Sequence, residues 1–153
     1  LPVVLGGNTW LINATNGFTA RSATLGEADY LSVVDENLEP TALYLKLMSD
    51  AARDGCTRTA TADAALAANQ RVLMRFVSLT DTVATNPTAV DQNLRYLKLR
   101  FHGVKVDESD TASIARLRTL FDASVSDTTQ ASVREGWRAV CVALLMAPEY
   151  HLY

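Results

Sequence analysis

Two histidines and two cysteines carry most of the chemistry open to this chain. His102 stands in Phe101-His102-Gly103 at the expected end of a helix. An imidazole there is a candidate ligand for a metal or a haem iron, or a general base. It also suits a helix C-terminus, where the dipole favours imidazolium. His151 lies between Tyr150 and Leu152 and reads either as a second cofactor ligand or as tail packing. Neither assembles a zinc centre, because no HExxH and no Glu-x-x-His pattern supplies further ligands. No metal site is therefore assigned.

Cys56 and Cys141 belong to no CxxC or CxxCH. That excludes a zinc ribbon and covalent c-type haem attachment within this chain, so haem enters only as a non-covalent ligand. In an oxidising compartment the two form one disulfide, and otherwise they are two buried thiols. Cys141 sits between Val140 and Val142, an apolar setting that keeps a thiol inert. No GxSxG is present, and Gly6-Gly7-Asn8 lacks the GKS/T of a phosphate loop. Asp35-Glu36 and the group Asp107, Glu108, Asp110 fall at helix ends and read as solvated caps. Asn13-Ala14-Thr15 matches a glycosylation sequon. No catalytic residue emerges, and a site dispersed over Asp and Glu residues is the only enzymatic reading left.

The chain that must position these residues has 153 of them, 48% hydrophobic and 20% charged, with formal net charge -3. This suits one globular domain and excludes a disordered chain or a coiled-coil rod. Fourteen basic and seventeen acidic residues are interspersed, which leaves no footprint for nucleic acid. Only Lys46, Lys98 and Lys105 are lysines, a bias attributable to a GC-rich genome. The longest apolar run, Ala139 to Ala147, is too short to span a bilayer. The chain begins with Leu1, which is compatible with a removed signal but does not show one.

Residues 1–25 are broken every few positions by turn formers and predict an extended or irregular N-terminal arm. Its Trp10 and Phe18 should lie on their own domain or on a neighbour. Residues 26–153 predict a helical domain. Glu27 to Asp35 is a short helix. Glu39-Pro40 opens the next, with Leu43, Leu47 and Ala51 in a stripe and Gly55 as its end. Cys56 to Thr61 reads as a polar link, followed by a helix from Thr61 or Asp63 to about Leu79. Asn86-Pro87 opens a helix to His102 with a core stripe of Val90, Leu94, Leu97 and Phe101. Asp107 to Asp110 caps a helix burying Ile114, Leu117, Leu120 and Phe121. Asp127 with Gln130 resembles a capping box for the last helix, which carries Val133, Trp137, Val140 and Leu144 and is apolar all round from Ala139 to Ala147. The fold class is all-α: an antiparallel bundle of five to six helices with an irregular arm.

Two segments carry a family likeness. One is Leu38-Glu39-Pro40-Thr41-Ala42-Leu43-Tyr44 continuing through Asp50 to Cys56. The other is Trp137 through Val140-Cys141-Val142-Ala143-Leu144-Leu145-Met146-Ala147-Pro148-Glu149-Tyr150. Together they resemble the C-terminal helical module of uncharacterised exported, cytochrome-c-associated proteins of planctomycetes and myxobacteria-like bacteria. The resemblance implies a periplasmic or extracellular helical module that neighbours haem proteins, although CxxCH itself is missing here. The resulting expectation is a non-catalytic structural or interaction subunit of an exported assembly, associated with electron transfer. It needs no cofactor and has a protein partner or a second copy. Trp10, Phe18, Tyr150 and Tyr153, at the two aromatic ends, are the candidate partner contacts. The alternative is a binding protein for haem or another apolar cofactor held between helices by His102 or His151.

Overall fold

The computed structural model describes residues 1–21 and 42–151, and these form a mostly helical protein with a small sheet near the N-terminus. The expected helix Glu27 to Asp35, the pair Asp35-Glu36 and the contact candidate Tyr153 lie outside the described residues.

The arm holds more regular structure than its composition suggests. Leu1 to Asn8 coils through successive turn hydrogen bonds and buries Leu5 completely. Strands β1 (Leu11–Ile12) and β2 (Thr15–Asn16) then pair antiparallel, Leu11 opposite Asn16 and Ile12 opposite Thr15. Asn13 and Ala14 between them both take positive φ, the geometry of a tight two-residue hairpin. Asn16 starts the short helix α1 (Gly17–Arg21) by accepting from the backbone N–H groups of Phe18 and Thr19.

Helix α2 runs from Ala42 to Asp63 without a break, so Gly55 ends nothing and Cys56 to Thr61 is not a link. Gly55 is there for packing. A Cβ at this position would lie 2.8 Å from the Leu5 side chain, so the glycine lets the N-terminal coil press onto the helix. The threonines that suggested a loop are absorbed by bonding backwards: the hydroxyls of Thr57, Thr59 and Thr61 donate to the carbonyls of Arg53, Gly55 and Thr57. The stripe holds at Leu47 and Ala51, but Leu43 is 45% exposed.

The helix expected from Thr61 to Leu79 does not form. A 3-10 turn at Ala68–Gln70 leads into an irregular segment that inserts Val72, Leu73, Met74 and Val77 into the core. Asp63 decides this. Its buried carboxylate accepts from the backbone N–H groups of Val72, Leu73 and Met74 at 2.8, 2.6 and 3.0 Å, which replaces the helical ladder for that stretch.

Helix α3 (Pro87–His102) has the bounds read from sequence. Asn86 caps it by accepting from the Ala89 N–H, Pro87 occupies its first turn, and Gly103 closes it at φ 68°. Helix α4 (Ala112–Ser124) buries Ile114 and Phe121, with Leu117 and Leu120 only half-buried. At its start Asp110 accepts from both the N–H and the hydroxyl of Ser113. Helix α5 (Gln130–Met146) is capped by Thr129 rather than Asp127, whose carboxylate instead holds the Thr129 N–H and hydroxyl. It packs against α2, α3, α4 and the short α6 (Pro148–His151). Val140, Cys141, Leu144 and Leu145 are buried, but Ala139, Val142, Ala143 and Met146 are half-exposed, so α5 is central without being covered on every side. A disulfide between Cys56 and Cys141 joins α2 to α5 in the buried core.

Candidate functional site

The candidate ligands sit at the α3–α6 end of the molecule. His102 Nε2 lies 2.9 Å from the Leu144 carbonyl. A carbonyl only accepts, so Nε2 is the protonated nitrogen of this contact and is not free to ligate. His102 also borders an open cleft of about 420 Å³ with Phe101, Glu149 and Tyr150. His151 Nδ1 lies 3.2 Å from the Tyr44 hydroxyl, and its ring meets Tyr44 and Tyr150 edge-to-face. His102 thus ties α3 to α5, and His151 ties α6 to α2. Burial, with Tyr44 adding to it, raises the Tyr150 phenol above its ordinary range. Among the described residues no three His, Cys, Asp or Glu side chains converge as a metal site.

Trp10 is a candidate partner contact by sequence, but the structure uses it internally. It is 5% exposed, stacks edge-to-face with the half-buried Phe18 at 5.4 Å, and packs with Leu47 and Ala51 of α2. Gly17 makes this possible, since a Cβ there would fall 2.2 Å from the indole. Tyr150 is half-buried beside His102. Trp10, Phe18 and Tyr150 therefore all rest on the chain's own helices, and exposed apolar surface lies elsewhere among the described residues.

It lies along α3. An open groove of about 800 Å³ runs beside the outer face of this helix, with Tyr96 and Leu99 in its floor and the Lys105–Glu108 segment as its far wall. Phe76 closes it from the irregular segment and packs edge-to-face on Tyr96 at 5.4 Å. Phe76 is 42% and Leu99 50% exposed. Each wall is fixed by buried or charged groups. Asn93, fully buried, accepts from the Phe76 N–H at 3.1 Å and donates to the Leu73 carbonyl at 2.7 Å. Arg95 donates to the carbonyls of Asp107 and Glu108 at 3.2 and 2.7 Å, tying the far wall to α3. Arg100 bonds the Tyr96 hydroxyl and the carbonyls of Val3 and Val4, which brings the exposed Val3 to the same helix. Asp91 and Arg118 pair at 3.0 Å between α3 and α4.

In sequence, Arg95, Lys98 and Arg100 make the outer face of α3 look like a solvated charged side, which hides this groove. The available signals were Leu99 among Arg95, Lys98 and Arg100, and Val104 and Val106 directly after the helix stop. The arrangement offers aromatic and aliphatic surface with both signs of charge at its edge. That suits non-covalent recognition. No family model, curated protein or solved structure matches the chain.

Proposed function

We propose that this protein is a non-catalytic structural or interaction module of an exported assembly, built as an antiparallel helical bundle and held to a protein partner through the outer face of α3. The exposed apolar groove carrying Phe76 and Leu99 carries the reading. Its aromatic centre and charged edge have the composition of a protein contact, on a rigid helix whose opposite face is core. The Cys56–Cys141 disulfide supports a periplasmic or extracellular setting. Association with electron-transfer proteins rests on the likeness of the Leu38–Cys56 and Trp137–Tyr150 segments alone.

Cross-linking on native material followed by mass spectrometry tests it. The expected result is cross-links from Lys98 and Lys105, which flank the groove, to one recurrent partner. A monodisperse monomer by light scattering with no such cross-links would overturn the reading. A Soret band in the purified protein would replace it with the haem-binding one.

A further inference from the structure

The β1–β2 hairpin carries the sequon Asn13-Ala14-Thr15 at its tip. It is the chain's one complete match. Asn86-Pro87-Thr88 has the same spacing, but Pro87 disqualifies it and Asn86 is spent as the cap of α3. Asn13, Ala14 and Thr15 are all exposed. The Asn13 amide and the Thr15 hydroxyl bond to nothing among the described residues, whereas the neighbouring Asn16 is committed to starting α1. The base of the hairpin is anchored: Leu11 and Ile12 are half-buried, and the Leu11 N–H donates to Asp54 of α2 at 3.0 Å. Asn13 takes φ 49°, a left-handed conformation that Asn tolerates. A bulky group on its amide therefore displaces no part of the core. Asn13 also precedes both cysteines and lies outside the loop that Cys56–Cys141 closes, so closing that bond does not sequester it.

We propose that Asn13 is a glycosylation site, which takes an N-linked oligosaccharide from a polyprenyl-diphosphate donor. The amide nitrogen bonds to the anomeric carbon of the sugar. The bond from that carbon to the diphosphate oxygen breaks, one amide proton is lost, and polyprenyl diphosphate leaves. No oxidant or reductant is needed. Thr15 supplies the hydroxyl two residues on that the transferring enzyme requires beside the amide. A sugar at this tip adds bulk and hydration where the surface is already open. The site shares with the proposed function only the exported setting, which the buried disulfide supports, and it does not depend on the α3 face as a protein contact.

The test is mass spectrometry of the full chain purified from its own source. Trypsin releases a peptide ending at Arg21, the first Lys or Arg of the chain. This peptide is expected to carry an oligosaccharide that electron-transfer fragmentation places on Asn13 and that peptide-N-glycosidase removes, leaving Asp. Returned to the same source, Asn13→Gln and Thr15→Ala should lose the sugar completely, and Thr15→Ser should keep it. All three should retain native circular dichroism and the closed disulfide, because neither side chain is bonded within the fold. A bare peptide from chain whose Cys56–Cys141 bond is closed would overturn the proposal and leave the exported setting standing. A bare peptide with both thiols free would overturn the two together. Sugar retained in Thr15→Ala, or carried by the Thr15 hydroxyl, Asn8 or Asn16 in place of Asn13, would also overturn it.

Discussion

Asp63 shows how one side chain can redirect a stretch of backbone. Three N–H groups converge on its buried carboxylate, so Asp63→Ala leaves three donors without their acceptor and should cost about 3 kcal/mol in urea unfolding. Asp63→Asn keeps one acceptor oxygen and should cost less. Equal losses in the two variants would show that the carboxylate is not what holds residues 72–74. Sequence offered Asp63 as a cap for a following helix. It does bind the N–H groups that follow it, but nine to eleven residues on rather than within one turn, a distance that no local pattern encodes. A titration bears on the surface. Hydrogen bonds from the Ser113 hydroxyl and backbone hold the exposed Asp110 carboxyl below its usual range. A carboxyl lowered in the folded state adds stability above its unfolded pKa and loses it as pH falls through the folded one. Ser113→Ala should therefore raise the Asp110 midpoint in an NMR titration, and an unmoved midpoint would deny the hydroxyl its part.

At the scale of elements, the legible parts were those whose signals are local. Helix α3 has an Asn-Pro start, a spaced apolar stripe and a Gly stop, and each acts in the structure as it reads in sequence. Helix α2 was cut in two because Gly55 and three threonines are local breakers, while the contacts that neutralise them come from Leu5 and from the preceding helical turn. The groove is hidden for the same reason: Phe76 and Tyr96 are 20 residues apart, and the segment that carries Phe76 is held to α3 by the buried Asn93. The single glycine of α5 tests this dependence on distant neighbours. Gly136 faces Phe121 and Val125 of the preceding helix and its exit, and an added Cβ would come within 2.8 and 2.6 Å of them. Helix propensity alone predicts that Gly136→Ala stabilises by about 1 kcal/mol. Overpacking against an aromatic ring should win and leave a net loss of about 1–2 kcal/mol in denaturant unfolding. A gain would mean that α4 and α5 separate easily, against the burial of Phe121 and Trp137 on each other.

For the whole molecule, the decisive contact is the disulfide. Sequence left Cys56 and Cys141 either bonded or free, because a loop of that length says nothing about which helix faces meet. The structure places both sulfurs in the seam between α2 and α5. The bond closes 85 residues, a loop that includes the irregular 64–86 stretch, α3 and α4. Constraining a loop of that size removes denatured-state entropy worth roughly 4.5 kcal/mol in the chain-entropy model. That is a large share of the about 5–15 kcal/mol that a domain of ordinary size retains. A Cys56→Ala/Cys141→Ala double variant should therefore unfold at much lower denaturant while keeping its helical circular dichroism in buffer. Each single variant should do no better, since it also leaves a buried free thiol opposite an alanine. A double variant within about 1 kcal/mol of wild type would mean that the α2–α5 seam holds by packing alone, and it would remove the main support for an oxidising compartment. The groove should respond differently. It is built from α3, Phe76 and the Lys105–Glu108 wall, all inside the closed loop and none on the bonded helices. Native cross-links from Lys98 and Lys105, collected well below the unfolding transition, should be unchanged in the double variant, which separates the recognition surface from the clasp that stabilises it.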